Sequence, residues 1–167
     1  MTVSRFRSVR ELSSGVSGRR AHRLARPAIE RSTFVIVTLG GTPIAIAVEC
    51  VERVVRPFSS LPVILYESRQ LPFADLAGPL GRTLHSAAGE HRRVLVIQDG
   101  GRRWAVPVDG VQEVYAVETA LVRPMAVDAP HATTDGVQGW FHRQDEVVLV
   151  IDAVRLLLRT AAARARS

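Results

Sequence analysis

The chain has 167 residues, with 22 basic and 16 acidic side chains, a formal net charge of +6 and a pI near 11.0. Every basic residue is Arg; residues 1–33 hold eight of them against Glu11 and Glu30, whereas residues 34–167 carry 14 Arg and 14 acids. The charge excess belongs to one end, which argues against a basic nucleic-acid-binding domain, since such a domain would carry its excess on a folded face.

Other totals narrow the class. The length and the 47% hydrophobic content fit one domain with a proper core. No apolar run approaches the ~18–20 residues of a membrane span. The N-terminus lacks a secretory h-region, and the lone Cys50 has no partner for an internal disulfide, so a cytoplasmic setting is expected.

Residues 1–33 are rich in Arg, Ser and Gly and read as a basic, disordered tail. From Phe34 the texture turns β-rich: FVIVTLG and IAIAVE flank Gly40-Gly41-Thr42, a hairpin signal. Ile44, Ile46 and Val48 alternate with Ala45 and Ala47, the period of a strand with one packed face. The same pattern returns at Val94. With a shift of 60 residues the glycine pair falls within Asp99-Gly100-Gly101, and Ile44, Ile46 and Val48 fall on Trp104, Val106 and Val108. Ala45 falls on Ala105, Val51 on Val111 and Val54 on Val114, so a supersecondary unit is duplicated.

Each copy leads to a further strand pair that ends in Asp. The first is VILY, a turn at Glu67-Ser68-Arg69, and QLPFADL; the second is GVQGWF, a turn around Arg143-Gln144-Asp145, and EVVLVIDAV. Asp75 and Asp152 occupy matching places before helical runs, where each is expected to cap the orphan N–H groups. The run 152–159 predicts a final helix with Val154, Leu157 and Leu158 on one face, and 159–167 reads as a fraying tail. About ten short strands in two similar halves point to an all-β double barrel.

No catalytic constellation emerges, and no metal or cofactor is expected. Neither glycine pair is followed by GK[ST]. His22, His85, His91, His131 and His142 are placed in the tail, loops or turns and form no HExxH or HxH; His85 and His91 share the linker LHSAAGEHRR, which reads as a solvated loop rather than a metal site. Cys50 follows Glu49 at a strand end and reads as a small core residue.

The ordered set FVIVTLGGTPIAIAV, Val51-Glu52-Arg53-Val54, PFADL at 72–76, VDGV at 108–111 and GW…VVLVIDAVRLL resembles the CheW-like domain of bacterial chemosensory systems over about residues 34–158. The resemblance implies two intertwined five-stranded SH3-like β-barrels (about 34–90 and 91–158) with short helices and a C-terminal helix. It also implies a non-enzymatic adaptor coupling methyl-accepting chemoreceptors to a CheA-type histidine kinase regulatory domain, with other CheW-like proteins as further partners and no membrane insertion.

Two departures from the family pattern stand out. Arg56-Pro57 reaches Val63 through only Phe58-Ser59-Ser60-Leu61-Pro62, shorter than in the family, which implies weakened kinase binding. The strand after it reads Ile64-Leu65-Tyr66-Glu67, with Glu67 where the family's receptor-coupling Arg stands, and Arg53 occupies a common Glu position. Arg53 and Glu67 are either a reversed ion pair or two separate surface charges. The receptor- and kinase-contact candidates are Val51, Arg53, Val54, Leu65 and Glu67; the plainer alternative makes Val51, Val54 and Leu65 core residues. The competing function is nucleic-acid binding through the Arg-rich tail, although Phe6 is its only aromatic.

Overall fold

The computed structural model describes residues 28–56, 64–85, 92–125 and 136–164, without the side chains of 64, 65 and 164. Expectations for the tail up to residue 27, for the short segment 57–62 and for His22, His91 and His131 lie outside these residues. Among the described residues there are eleven strands and one α-helix.

Both predicted glycine hairpins form. Strands β1 (Arg31–Leu39) and β2 (Thr42–Ala47) pair antiparallel from Phe34↔Ala47 to Leu39↔Thr42. Strands β6 (Arg93–Asp99) and β7 (Arg102–Val108) pair from Arg93↔Val108 to Asp99↔Arg102. Gly40 and Gly41 have φ of 55° and 75°, and Gly100 and Gly101 have 52° and 89°. Two successive left-handed residues make the turn whose twist matches the flanking strands, and glycine adopts it without a Cβ penalty.

The third strand of each repeat leaves its own hairpin. Strand β3 (Val51–Val55) pairs with β6 through Val54↔Leu95, while β8 (Gly110–Glu118) pairs with β1 through Val35↔Val114. The later hairpins cross over as well. Strand β11 (Glu146–Ile151), paired with β10 (Val137–Arg143), adds in parallel to β2 through Leu149↔Ile44 and Ile151↔Ile46. After the hairpin β4 (Ile64–Tyr66) and β5 (Arg69–Leu71), Phe73 makes the equivalent parallel bridge to Ala105 on β7. One sheet therefore runs β8-β1-β2-β11-β10-β9, with β9 the two residues Arg123–Pro124, and the other barrel combines β3-β6-β7 with β4-β5. Neither barrel coincides with one half of the chain; each takes strands from both.

This exchange explains the unbroken apolar runs. Phe34 and Ile36 of β1 face the lumen of the six-stranded barrel, with Phe141, Val148 and Val150. Val35, Val37 and Leu39 face the other way, into a core shared with Leu95, Ile97, Trp104, Val106 and Leu157. A third cluster, Tyr66, Leu71, Val94, Val96 and Ala105, fills the β3–β7 barrel. A strand buried on both faces has no polar face to show in its sequence.

The six-stranded barrel is closed between β8 and β10 by side chains. Phe141 stacks on Phe34 and on Tyr115, both at 5.8 Å between ring centroids. At the rim, Arg143 of β10 donates to the Glu113 carboxylate (2.9 Å) and to the Gln112 amide oxygen (2.6 Å) of β8, and to Glu146 (2.8 Å).

Three boundaries differ from the sequence expectation. Strand β1 starts at Arg31, inside the expected tail, because Arg31, Ser32 and Thr33 pair with Glu118, Val117 and Ala116, and the hydroxyls of Ser32 and Thr119 lie 3.0 Å apart. Long-range pairing outweighs local composition there. The helix α1 (Ala153–Arg164) continues past Arg159, where fraying was expected, because Ala161, Ala162 and Ala163 are the strongest helix formers. Its buried face is Ala153, Leu156 and Leu157, with Val154 and Leu158 only partly covered. His142, expected in a turn, lies within β10 with its ring edge-on to Trp140 at 5.3 Å.

The expected cap forms at Asp152, which accepts the N–H of Arg155 (2.9 Å) at the start of α1. Asp75 instead accepts the N–H groups of Ala77 (2.8 Å) and Gly78 (3.1 Å) and closes a turn into a single three-residue 3₁₀ helix, Gly78–Leu80, whose N-cap position is Ala77.

Candidate functional site

The β3–β7 barrel is closed at its rim by polar groups on three strands. Glu52 of β3 takes a two-pronged contact from Arg103 of β7, Nε to Oε2 at 2.6 Å and Nη2 to Oε1 at 2.9 Å. The Tyr66 hydroxyl of β4 donates to the same carboxylate at 3.2 Å. Two guanidinium groups lie over the Tyr66 ring, Arg53 at 5.5 Å and Arg103 at 5.8 Å from its centroid. Arg69, opposite Tyr66 in the β4–β5 ladder, lines with Tyr66, Glu67 and Arg103 a recess of about 430 Å³.

The turn that carries Glu67 is strained. Glu67 and Ser68 have φ of 48° and 63°, a conformation that costs a non-glycine residue about 1–2 kcal/mol. This two-residue turn returns Arg69 directly opposite Tyr66 and leaves Glu67 exposed at the hairpin tip.

Electrostatics follow from the geometry. The Arg103 guanidinium holds the Glu52 carboxyl below the usual glutamate range, chiefly through its hydrogen bonds. The same bonds raise Arg103, and partial burial raises the Tyr66 phenol. A carboxyl whose pKa is lowered by folding contributes stability above its unfolded pKa and loses it as pH falls through the folded value. Acid titration of the wild type and Glu52→Gln should therefore show a stability difference at neutral pH that vanishes once Glu52 is protonated. A difference that persists unchanged in acid would assign the contribution to packing instead.

The predicted site residues fall as follows. Val51 is half-buried against the inter-barrel core, Val54 is 40% exposed, and Arg53 and Glu67 are exposed. Leu65 lies in β4, its side chain outside the described part. The reading of all three apolar candidates as core therefore fails for Val54. The reversed Arg53–Glu67 ion pair does not form: the cation beside Glu67 is Arg103, at 3.8 Å, and Arg53 lies over Tyr66. Aligning the two terminal Asp residues shows why. Tyr66 then matches Arg143, while the 60-residue shift of the first hairpins matches Arg53 to Glu113, so the Glu113–Arg143 pair of one barrel is replaced by the stacked Arg53–Tyr66 pair of the other. Glu52, Tyr66 and Arg103 were not singled out in the sequence, although carrying this alignment through to the rims would have pointed to Tyr66.

Other chemistry is sparse. Burial, and then the Asp152, Glu49 and Asp99 carboxylates, push the Cys50 thiol up, which disfavours the nucleophilic thiolate. Among the described residues no group of three His, Cys, Asp or Glu side chains could hold a metal, and no helix is long and apolar enough to cross a membrane. His85 lies with Nδ1 3.8 Å from Asp109, whose carboxylate accepts the Gly40 N–H at 2.7 Å.

A family model described as the CheW-like domain matches residues 33–161. Among solved structures, the chain is similar to the scaffolding protein TtCheW from Thermoanaerobacter tengcongensis. The two share 19% sequence identity with a TM-score of 0.62, over 74% of this chain and 90% of that one. At that identity the likeness carries the fold. No curated protein matches the chain. With a family model spanning most of its length and the exchanged two-barrel architecture already in view, the chain belongs to the CheW-like domain family.

Proposed function

We propose that the protein is a cytoplasmic, non-enzymatic adaptor that couples chemoreceptors to a CheA-type histidine kinase in a chemosensory array, with weakened kinase binding. The observation that carries the reading is the match of the family model to residues 33–161, which spans both barrels and most of the helix that packs against their shared core. Two such barrels offer protein partners rigid rims and sheet faces. The Val54 face of β3 and the Glu67 hairpin tip are the exposed parts of the predicted contact set. Weakened kinase binding is part of the proposal because the sequence joins Arg56 to Val63 through fewer residues than the family pattern has.

The test is co-purification of the full chain with a receptor cytoplasmic tip and, separately, with the kinase regulatory domain. The expected result is retention of the tip and weaker retention of the kinase domain. Binding to neither would overturn the adaptor reading, and equal binding to both would remove the refinement about the kinase.

A further inference from the structure

The two repeats part after their matching Asp residues. Beyond Asp152 the chain continues as the 12-residue helix α1. Beyond Asp75 it makes only the 3₁₀ turn Gly78–Leu80 and reverses at Gly81, whose φ is 64°. The Arg82 N–H then donates to the Ala77 carbonyl at 2.8 Å. From there the chain runs back over the first glycine turn. A Cβ on Gly40 would stand 2.8 Å from the Thr83 carbonyl oxygen, and one on Gly41 3.1 Å from the His85 ring. At Gly100 and Gly101 such a Cβ would meet nothing within 4 Å, so of the two turns only the first is covered.

Pro107 decides where the outgoing chain leaves the sheet. The Ala105 N–H donates to the Pro72 carbonyl (2.9 Å), and the Ala74 N–H to that of Ala105 (3.0 Å). The next donor along β7 would be residue 107, and proline has no N–H. In the other barrel Ala47 holds the equivalent place, and the parallel ladder reaches Ile151↔Ile46. Between the outgoing residues 73–77 and the returning residues 82–84, against Pro107, lies a cavity of about 470 Å³, within the size range of small-ligand sites. Phe73, Ala74, Ala77, Leu84 and Pro107 give it apolar walls. Arg82 and Thr83 are exposed and stand at its opening. The Asp75 oxygens are taken by the Ala77 and Gly78 N–H groups, whereas the Arg82 guanidinium has no carboxylate partner among the described residues.

We propose that this cavity binds a small organic carboxylate. Its apolar end lies against Phe73, Leu84 and Pro107, and its charged end meets Arg82, with the Thr83 hydroxyl as a second donor. A guanidinium fork matches a carboxylate through two parallel N–H···O contacts, and burial against apolar walls favours the rest of the molecule. Such a ligand touches both the outgoing and the returning segment, and so braces the latter over the Gly40–Gly41 turn. None of the predicted receptor- and kinase-contact residues lines the cavity, so the site stands apart from the adaptor contacts.

The test titrates the isotope-labelled full chain with hexanoate and phenylacetate, and with the neutral alcohols hexanol and phenethyl alcohol, while amide resonances are followed. At least one acid should give saturable shifts at residues 73–77, 82–84 and the neighbours of Pro107, with a dissociation constant of about 0.1–5 mM, as expected for so few heavy atoms. The matching alcohol should bind about tenfold more weakly. Arg82→Gln should bring the acid down to its alcohol, and Arg82→Lys should lose less. Arg102→Gln, a charge-matched change at the open second turn, should alter nothing. Both arginines are exposed, and the amide spectra show that each variant is folded. No saturable shift below about 10 mM with either acid, shifts centred elsewhere on the chain, an alcohol that binds as tightly as its acid, or wild-type affinity in Arg82→Gln each overturns the proposal. Retention of the receptor tip is a separate measurement and bears on the adaptor reading alone.

Discussion

Replacing Phe141 with Ala is expected to lower the unfolding free energy by about 3–5 kcal/mol, the usual cost of removing a buried aromatic ring. Phe141 is 1% exposed and stacks between Phe34 of β1 and Tyr115 of β8. Strand β10 has no ladder to β8, so this stack and the Arg143 contacts hold the six-stranded sheet in its closed form. Each aromatic pair adds about 0.5–1.5 kcal/mol beyond area burial, and Ala forfeits two of them along with the volume. Against a total stability of about 5–15 kcal/mol, such a loss brings the domain close to unfolding. The neighbouring Trp140→Ala should cost less, because Trp140 lies on the outer face with Arg123 at 5.0 Å. Urea denaturation of both variants reads the contrast. A Phe141→Ala loss under about 1 kcal/mol would mean that the sheet closes without the stack.

Replacing Leu157 with Ala should cost about 2–5 kcal/mol while leaving a single unfolding transition. Leu157 is 1% exposed and reaches the cluster in which β1 and β2 of one barrel meet β6 and β7 of the other. Because the cavity opens in the shared core, both barrels lose stability together. Tryptophan fluorescence reports both parts at once, since Trp104 belongs to that core and Trp140 to the outer face of the six-stranded barrel. Separate transitions for the fluorescence and for the far-UV signal would show that the barrels fold independently.

Much of the body was legible from residues alone. The glycine pairs mark both hairpins because two left-handed residues are needed there, and the 60-residue repeat exposes the duplication. The Asp152 cap followed from position, directly after a strand and before a helical start, whereas its counterpart Asp75 closes a turn instead. The site was less legible. Val54 is a β-branched residue in a strand, which suggests burial, yet β3 lies at a sheet edge with Val55 turned toward the lumen, which leaves Val54 outside. The Glu52–Arg103 contact joins residues 51 apart, and nothing local marks either one.

The hairpins, the repeat, the Asp152 cap and the concentration of positive charge at one end can be read from the amino acids in order, because each depends on local backbone preference or on simple counting. Which strands share a barrel, where β1 begins and which cations find partners emerge from long-range pairing instead. Those outcomes depend on the exchange of β3 and β8 between the repeats, which brings distant side chains to a common rim. Arg53 and Glu113 hold equivalent places in the two repeats, yet one lies over Tyr66 and the other pairs with Arg143. That difference is set by what the opposing hairpin carries across the barrel.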